Sequence, residues 1–77
     1  MAKKNGSSDG EGVYRITEVI GTSKVSWEEA AKNAVAVASK TLRDLRIAEV
    51  IKLDMKVESG KVVGFRARVQ LSFKYEG

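Results

Sequence analysis

The sequence predicts an α+β fold: a β-α-β-β subunit with a three-stranded antiparallel sheet in order 1-3-2 and one helix on one face. Three observations predict it. A β-prone run, Val13 to Ile20, stops at Gly21-Thr22-Ser23. A capped amphipathic stretch follows from Ser26, and two long alternating runs close the chain around Glu58-Ser59-Gly60-Lys61. A right-handed crossover makes the first two strands parallel. The hairpin makes the third antiparallel to the second, and placing it in the middle makes every neighbouring pair antiparallel.

Each element has a local reason. Residues 1–12, MAKKNGSSDGEG, carry no large apolar side chain after Met1. They cannot bury enough to offset their ordering entropy and are expected to be a disordered tail ahead of a single domain, 13–77. Val13 to Ile20 is rich in Val, Tyr, Ile and Thr, which favour a pleated surface. Gly21-Thr22-Ser23 is read as a strand-to-helix turn, lacking the Gly-rich loop and Lys-Ser/Thr of a phosphate cradle. Ser26-Trp27-Glu28-Glu29 fits a capping box, with the Ser hydroxyl on the third amide and a Glu reaching back. Both glutamates sit at the positive end of the helix dipole, with Lys40 and Arg43 expected at the negative end. Trp27, Ala30, Ala31, Ala34, Ala38, Leu42 and Leu45 recur at helical spacing as one stripe. The stripe is alanine-rich, so the helix lies close to what it covers.

The second strand is expected over Ile47 to Glu58. Strict alternation puts Ile47, Ile51, Leu53, Met55 and Val57 on one face, with Glu49 the exception, and Ala48, Val50, Lys52, Asp54, Lys56 and Glu58 on the other. Glu58-Ser59-Gly60-Lys61 is a short hairpin connection in which Gly supplies positive φ. Val62 to Tyr75 alternates again, with Val63, Phe65, Ala67, Val69, Leu71, Phe73 and Tyr75 one way and Arg66 and Arg68 the other, on the face away from the helix.

The totals bound the function. Seventy-seven residues make one small domain at most. Such a chain buries only about 60% of its unfolded surface and needs a staple or partner subunits. With no Cys there are no disulfides or thiolate metal sites, which fits a reducing cytoplasm. With no His there is no imidazole-ligated zinc and no His-based triad or base, so an enzyme is not expected and Ser23 has no partner to activate it. The net charge of +4 is scattered from Lys3 to Lys74, the pattern of a solvated surface and not of a nucleic-acid face. No apolar run is long enough to span a membrane and the first residues hold no secretory segment. The strands are long for a single helix to cover, and bare strand edges favour association, so copies of the same chain are the expected partner.

Single residues then divide into structural and chemical readings. Trp27, the one tryptophan, reads as an anchor in the first helical turn. Glu49 reads as a salt-bridge partner of Arg46 or of another subunit's arginine, or as a carboxylate near a symmetry axis. Glu49 and Asp54 are the metal candidates, with Glu58 as a further source of oxygen; no compact acidic loop exists, so a tight cation cage would have to be shared between chains. Arg66 and Arg68 read as solvated or inter-subunit charges, or as phosphate or carboxylate binders.

Val13-Tyr14, Val19-Ile20-Gly21-Thr22-Ser23, Ser26-Trp27-Glu28-Glu29-Ala30-Ala31, Ala48-Glu49-Val50 and Val69-Gln70-Leu71-Ser72-Phe73 together resemble the dodecin family, over about 13–75. The resemblance implies a β-α-β-β subunit and a hollow, non-enzymatic homododecameric shell that binds or stores a small ligand between subunits. Its usual cofactor is a flavin, FMN or riboflavin. In flavin-binding members a Trp at the start of strand two stacks on the ring and a Gln on strand three bonds its polar edge. By alignment those positions are Ile47 and Arg66. Ile47 lacks a π face and so loses a stacking contribution of roughly 0.5–1.5 kcal/mol per ring pair. Arg66 donates but cannot accept from the ring N–H. Some dodecin-like proteins with this aliphatic pattern are associated with calcium, or with no known ligand. The alternative expectation is therefore a shell that binds divalent cations such as calcium, or serves as a scaffold.

Overall fold

The structure, a computed structural model, describes residues 12–74; the expected tail apart from Gly12, and Tyr75 of the third strand, lie outside them. The order is β1 (Tyr14–Ser23), α1 (Trp27–Ala38), β2 (Leu45–Glu58) and β3 (Lys61–Lys74). The sheet runs β1-β3-β2 with both pairings antiparallel, as predicted. Ser59 and Gly60, at φ 51 and φ 76, make the two-residue turn between β2 and β3. Two successive positive φ values match the twist of the flanking strands.

The helix start is a modified capping box. Ser26 Oγ accepts from the Glu29 amide at 3.0 Å. The reciprocal bond is replaced: the Ser26 amide goes to Ser23 Oγ at 3.4 Å, and the Ser23 hydroxyl donates to the Glu29 carboxylate at 3.2 Å. Ser23 belongs to β1, which continues through Gly21-Thr22-Ser23 instead of breaking there. Gly21 is held in the strand by a close approach. A Cβ on it would collide with the Ala30 carbonyl oxygen and stand 2.8 Å from the Ala34 Cβ.

The helix is shorter than its stripe suggests. It ends at Ala38 with no basic residue in its last turn, so Lys40 and Arg43 lie beyond it. The Ser39 and Thr41 hydroxyls donate to the Ala36 and Ala38 carbonyls at 3.1 and 3.3 Å, and such local bonds compete with helix continuation. Leu42 and Leu45 still pack on the core, but from the connection and from β2.

The second strand departs from strict alternation. Register shifts fall between Leu45 and Ile47 and between Val50 and Lys52, leaving Arg46 and Ile51 as extra residues. Each such bulge moves the following side chains to the opposite face. Ala48, Val50, Leu53 and Met55 pair with Leu71, Val69, Ala67 and Phe65 on the helix side. Ile47, Glu49, Lys52 and Asp54 pair with Ser72, Gln70, Arg68 and Arg66 on the outer side. Glu49 is therefore no exception, and Ile47 leaves the apolar face assigned to it.

The core is small. Ala30, Ala34, Ala38, Ala67, Val69 and Leu71 are buried, and only Val69 and Leu71 among them are large. Helix α1 lies over β1 and β3 and barely reaches β2. Ile47, Val50, Ile51, Leu53, Met55 and Val57 of β2 are consequently all exposed. Among the described residues no helix is long and apolar enough to cross a membrane.

Candidate functional site

The shift at Val63, extra on β3 between Val57↔Val62 and Lys56↔Gly64, brings Asp54 opposite Arg66. The Arg66 guanidinium donates from Nε to Asp54 Oδ1 at 2.7 Å and from Nη2 to Oδ2 at 2.9 Å. This two-armed geometry is the strong form of a carboxylate–guanidinium contact. It holds the Asp54 carboxyl below its usual range, chiefly through the hydrogen bond, with the Arg66, Arg68 and Lys52 charges adding to it against partial desolvation. The same bond pushes Arg66 up.

The pair is tied to the helix. Trp27 Nε1 donates to the Asp54 backbone carbonyl at 2.9 Å. The indole also meets the Phe65 ring edge-on, with centroids 5.1 Å apart and planes at 71°. The anchor reading of Trp27 is thus given its partners: it joins the first helical turn to both strands of the hairpin.

Beside this node lies a cleft of about 690 Å³. Thr22, Ser23 and Lys24 form one wall, Lys56 and Glu58 another, and the β3 segment from Val63 to Arg66 the floor. A second, shallower groove of about 330 Å³ runs between α1 and β2, with Ala31, Val35 and Ala36 facing Ala48 and Val50.

The sequence-derived candidates do not converge within one chain. Ile47 pairs with Ser72, six residues along β3 from Arg66, which is roughly 20 Å at the strand rise. Both are on the outer face, but they do not meet. Glu49 lies opposite Gln70, and Glu18 flanks the same Gln70 from β1. Arg46 approaches Asp44 at 3.9 Å and not Glu49. Asp54 meets Arg66 where a cation would want a second carboxylate. Among the described residues no three acidic side chains gather to hold a metal. The Asp54–Arg66 pair itself is the feature that reading the sequence missed. Its signal was present in the hairpin register, but only once the Val63 bulge is known.

Comparison with known proteins gives one consistent answer. The family model described as Dodecin matches residues 13–76. The chain is 44% identical over 62 residues to the calcium dodecin of Mycobacterium tuberculosis, covering 80% of this chain and 87% of that one. Its fold is similar to the dodecin structure from Streptomyces coelicolor, with TM-score 0.80, 39% identity and coverage of 86% and 94% of the two chains. It is similar also to the crystal structure of the calcium-chelating Mycobacterium tuberculosis calcium dodecin, described as having a novel calcium-binding site, with TM-score 0.74, 45% identity and coverage of 83% and 91%.

Proposed function

The chain belongs to the dodecin family, and on that premise we propose that copies of it close into a non-catalytic shell of twelve that holds a small ligand or ion at its seams. One observation carries this reading. β2 is exposed from Arg46 to Glu58, including six large apolar side chains, while α1 lies mainly over the other two strands. An edge strand of that length and character is stable in water only when something covers it. Ile47 and Arg66 are then drawn into one site from two copies, since one chain keeps them apart. The shell is built from the domain 13–77, with residues 1–12 as a tail, and its compartment is the cytoplasm, where a chain without Cys is at no disadvantage.

Calcium is the ligand we favour over flavin. The calcium dodecin is a relative at 44% identity over most of the chain. Ile47 offers no ring to stack on, and Arg66 spends two donors on Asp54. Glu49 remains the carboxylate that a neighbouring copy's oxygens would complete.

Light scattering on the native protein tests the assembly. The expected mass is about 100 kDa, twelve times 8.4 kDa. A stable single chain ends the proposal. Calorimetric titration with calcium, with magnesium as control, tests the ligand: saturable heat specific to calcium supports it. Absent heat combined with quenching of FMN fluorescence returns the site to flavin.

A further inference from the structure

We propose that Asp54 is the specificity-determining residue of the ligand seam: it locks the Arg66 guanidinium within its own hairpin and so withholds it from a flavin, with Trp27 as the residue that positions the lock. The inference rests on the reading of Ile47 and Arg66 as seam positions and deepens it.

Register is the first argument. A hairpin paired without irregularity would set Asp54 opposite Phe65. The extra residue Val63 moves it to Arg66. A bulge of this kind re-aims a side chain, and here it aims a carboxylate at a guanidinium. The resulting contact is unlike the ion pairs of Lys32 with Glu28, Arg46 with Asp44 and Lys56 with Glu58, which stand at 3.8, 3.9 and 3.7 Å. Arg66 meets Asp54 through two arms, at 2.7 and 2.9 Å. Both side chains are close to half-exposed, where an ion pair adds little to stability. A register shift and a two-armed geometry at so exposed a position point to a role other than holding the fold.

Trp27 is the second, independent argument. Its Nε1 donates to the Asp54 backbone carbonyl at 2.9 Å, and its ring meets Phe65, the residue before Arg66, edge-on at 5.1 Å. One indole therefore steadies β2 at Asp54 and β3 beside Arg66. Support of this kind holds a functional side chain within the narrow geometry it needs.

The chemistry follows from the inventory of donors and acceptors. A flavin ring presents carbonyl acceptors and an N–H donor along its polar edge. Arg66 accepts nothing, so only its donors could serve the ring. The two-armed contact fixes the plane of the guanidinium, and its remaining Nη1 donors cannot turn to follow a ring edge. Swinging out would break two charge-assisted bonds and leave the Asp54 carboxylate unpaired. Calcium at Glu49 asks nothing of this pair. Gln70, opposite Glu49, is four residues along β3 from Arg66, roughly 13 Å at the strand rise.

A double-mutant cycle with riboflavin as the probe tests the lock, read by quenching of its fluorescence. Riboflavin carries no phosphate, so the ring alone is measured. Ile47→Trp is the parent chain and supplies a stacking face. In that parent Asp54→Asn should raise riboflavin affinity about fivefold or more, the scale of one released charge-assisted donor. In a parent that also carries Arg66→Ala, Asp54→Asn should change affinity by less than about twofold, because nothing is left to release. Trp27→Phe removes the N–H and keeps a ring against Phe65, and it should give part of the gain. Asp54→Glu keeps the charge and should gain less than Asp54→Asn. No gain from Asp54→Asn, or an equal gain in the Arg66→Ala parent, overturns the proposal. The contact is also read without ligand: Arg66 Nε–H should exchange with water more slowly in the native protein than in Asp54→Asn, and equal exchange overturns the lock in any assembly state. Light scattering on the same samples keeps the two failures apart. A full-sized assembly without the coupling sinks the lock alone, whereas a single chain sinks the shell reading and the seam with it.

Discussion

Arg66 and Asp54 decide what the outer face offers at the middle of the hairpin. Their pair makes stability depend on acid in a defined direction. The folded carboxyl sits below its ordinary value of 3.8, so its contribution is fully present above that value and is lost as pH falls through the lower, folded-state value. Urea unfolding of the wild type should therefore weaken on going from pH 5 to strongly acidic buffer more than that of Asp54→Asn, which cannot ionise. Parallel acid profiles for the two proteins would mean that the pair contributes nothing in solution. Ile47 carries a second test. It is 56% exposed on the outer face. Ile47→Trp should raise flavin affinity by about two- to tenfold for each restored ring pair, read as FMN fluorescence quenching. Unchanged quenching would remove Ile47 from the ligand seam. The family resemblance singled out Ile47 and Arg66 as candidate positions, whereas the Asp54 contact was not legible in the sequence. Counting back from Glu58 opposite Lys61 without irregularity puts Asp54 opposite Phe65, and the extra Val63 moves it by one to Arg66.

At the scale of elements, the number, order and pairing of strands follow from turn chemistry and the β-α-β-β pattern, and these were legible. Two things were not. Bulges at Arg46 and Ile51 cost the backbone one residue each and leave no mark in hydrophobic periodicity, because a run such as Val50-Ile51 suits either face. The helix end was also overrun, since Leu42 and Leu45 satisfy helical spacing while Ser39 and Thr41 cap the chain before them. The join of α1 to β1 yields the sharpest prediction at this scale. Gly21 lies under the Ala30 carbonyl and the Ala34 methyl, so Gly21→Ala must lift the helix from the sheet. Overpacking of this kind costs about 1–3 kcal/mol, and a lower urea midpoint with unchanged slope is the expected result. A midpoint equal to that of the wild type would show that α1 floats on β1 instead of seating on it. Alanine at Ala30, Ala34 and Ala38 signalled a close approach in the sequence, but only the structure shows which strand the helix approaches.

For the whole molecule the deciding quantity is how little one chain buries. Among the described residues Val69 and Leu71 are the only large fully buried side chains, beside four buried alanines. A core of that size rarely holds a 77-residue chain together unaided. The missing burial is on β2, where Leu53 and Val57 are 51% and 58% exposed. If copies cover that strand, folding and assembly are one equilibrium, and the thermal midpoint must rise with protein concentration by mass action. An aspartate at Val57 stays solvated in a lone subunit but would be stranded without a partner at a seam, where an unpaired charge is expensive. Val57→Asp should therefore move the scattering mass from about 100 kDa toward 8.4 kDa and lower the thermal midpoint with it. Leu53→Asp, further along the same strand, should do the same. A full-sized assembly in both variants, together with a midpoint independent of concentration, would show that β2 faces water in the working protein and that its apolar residues need another explanation.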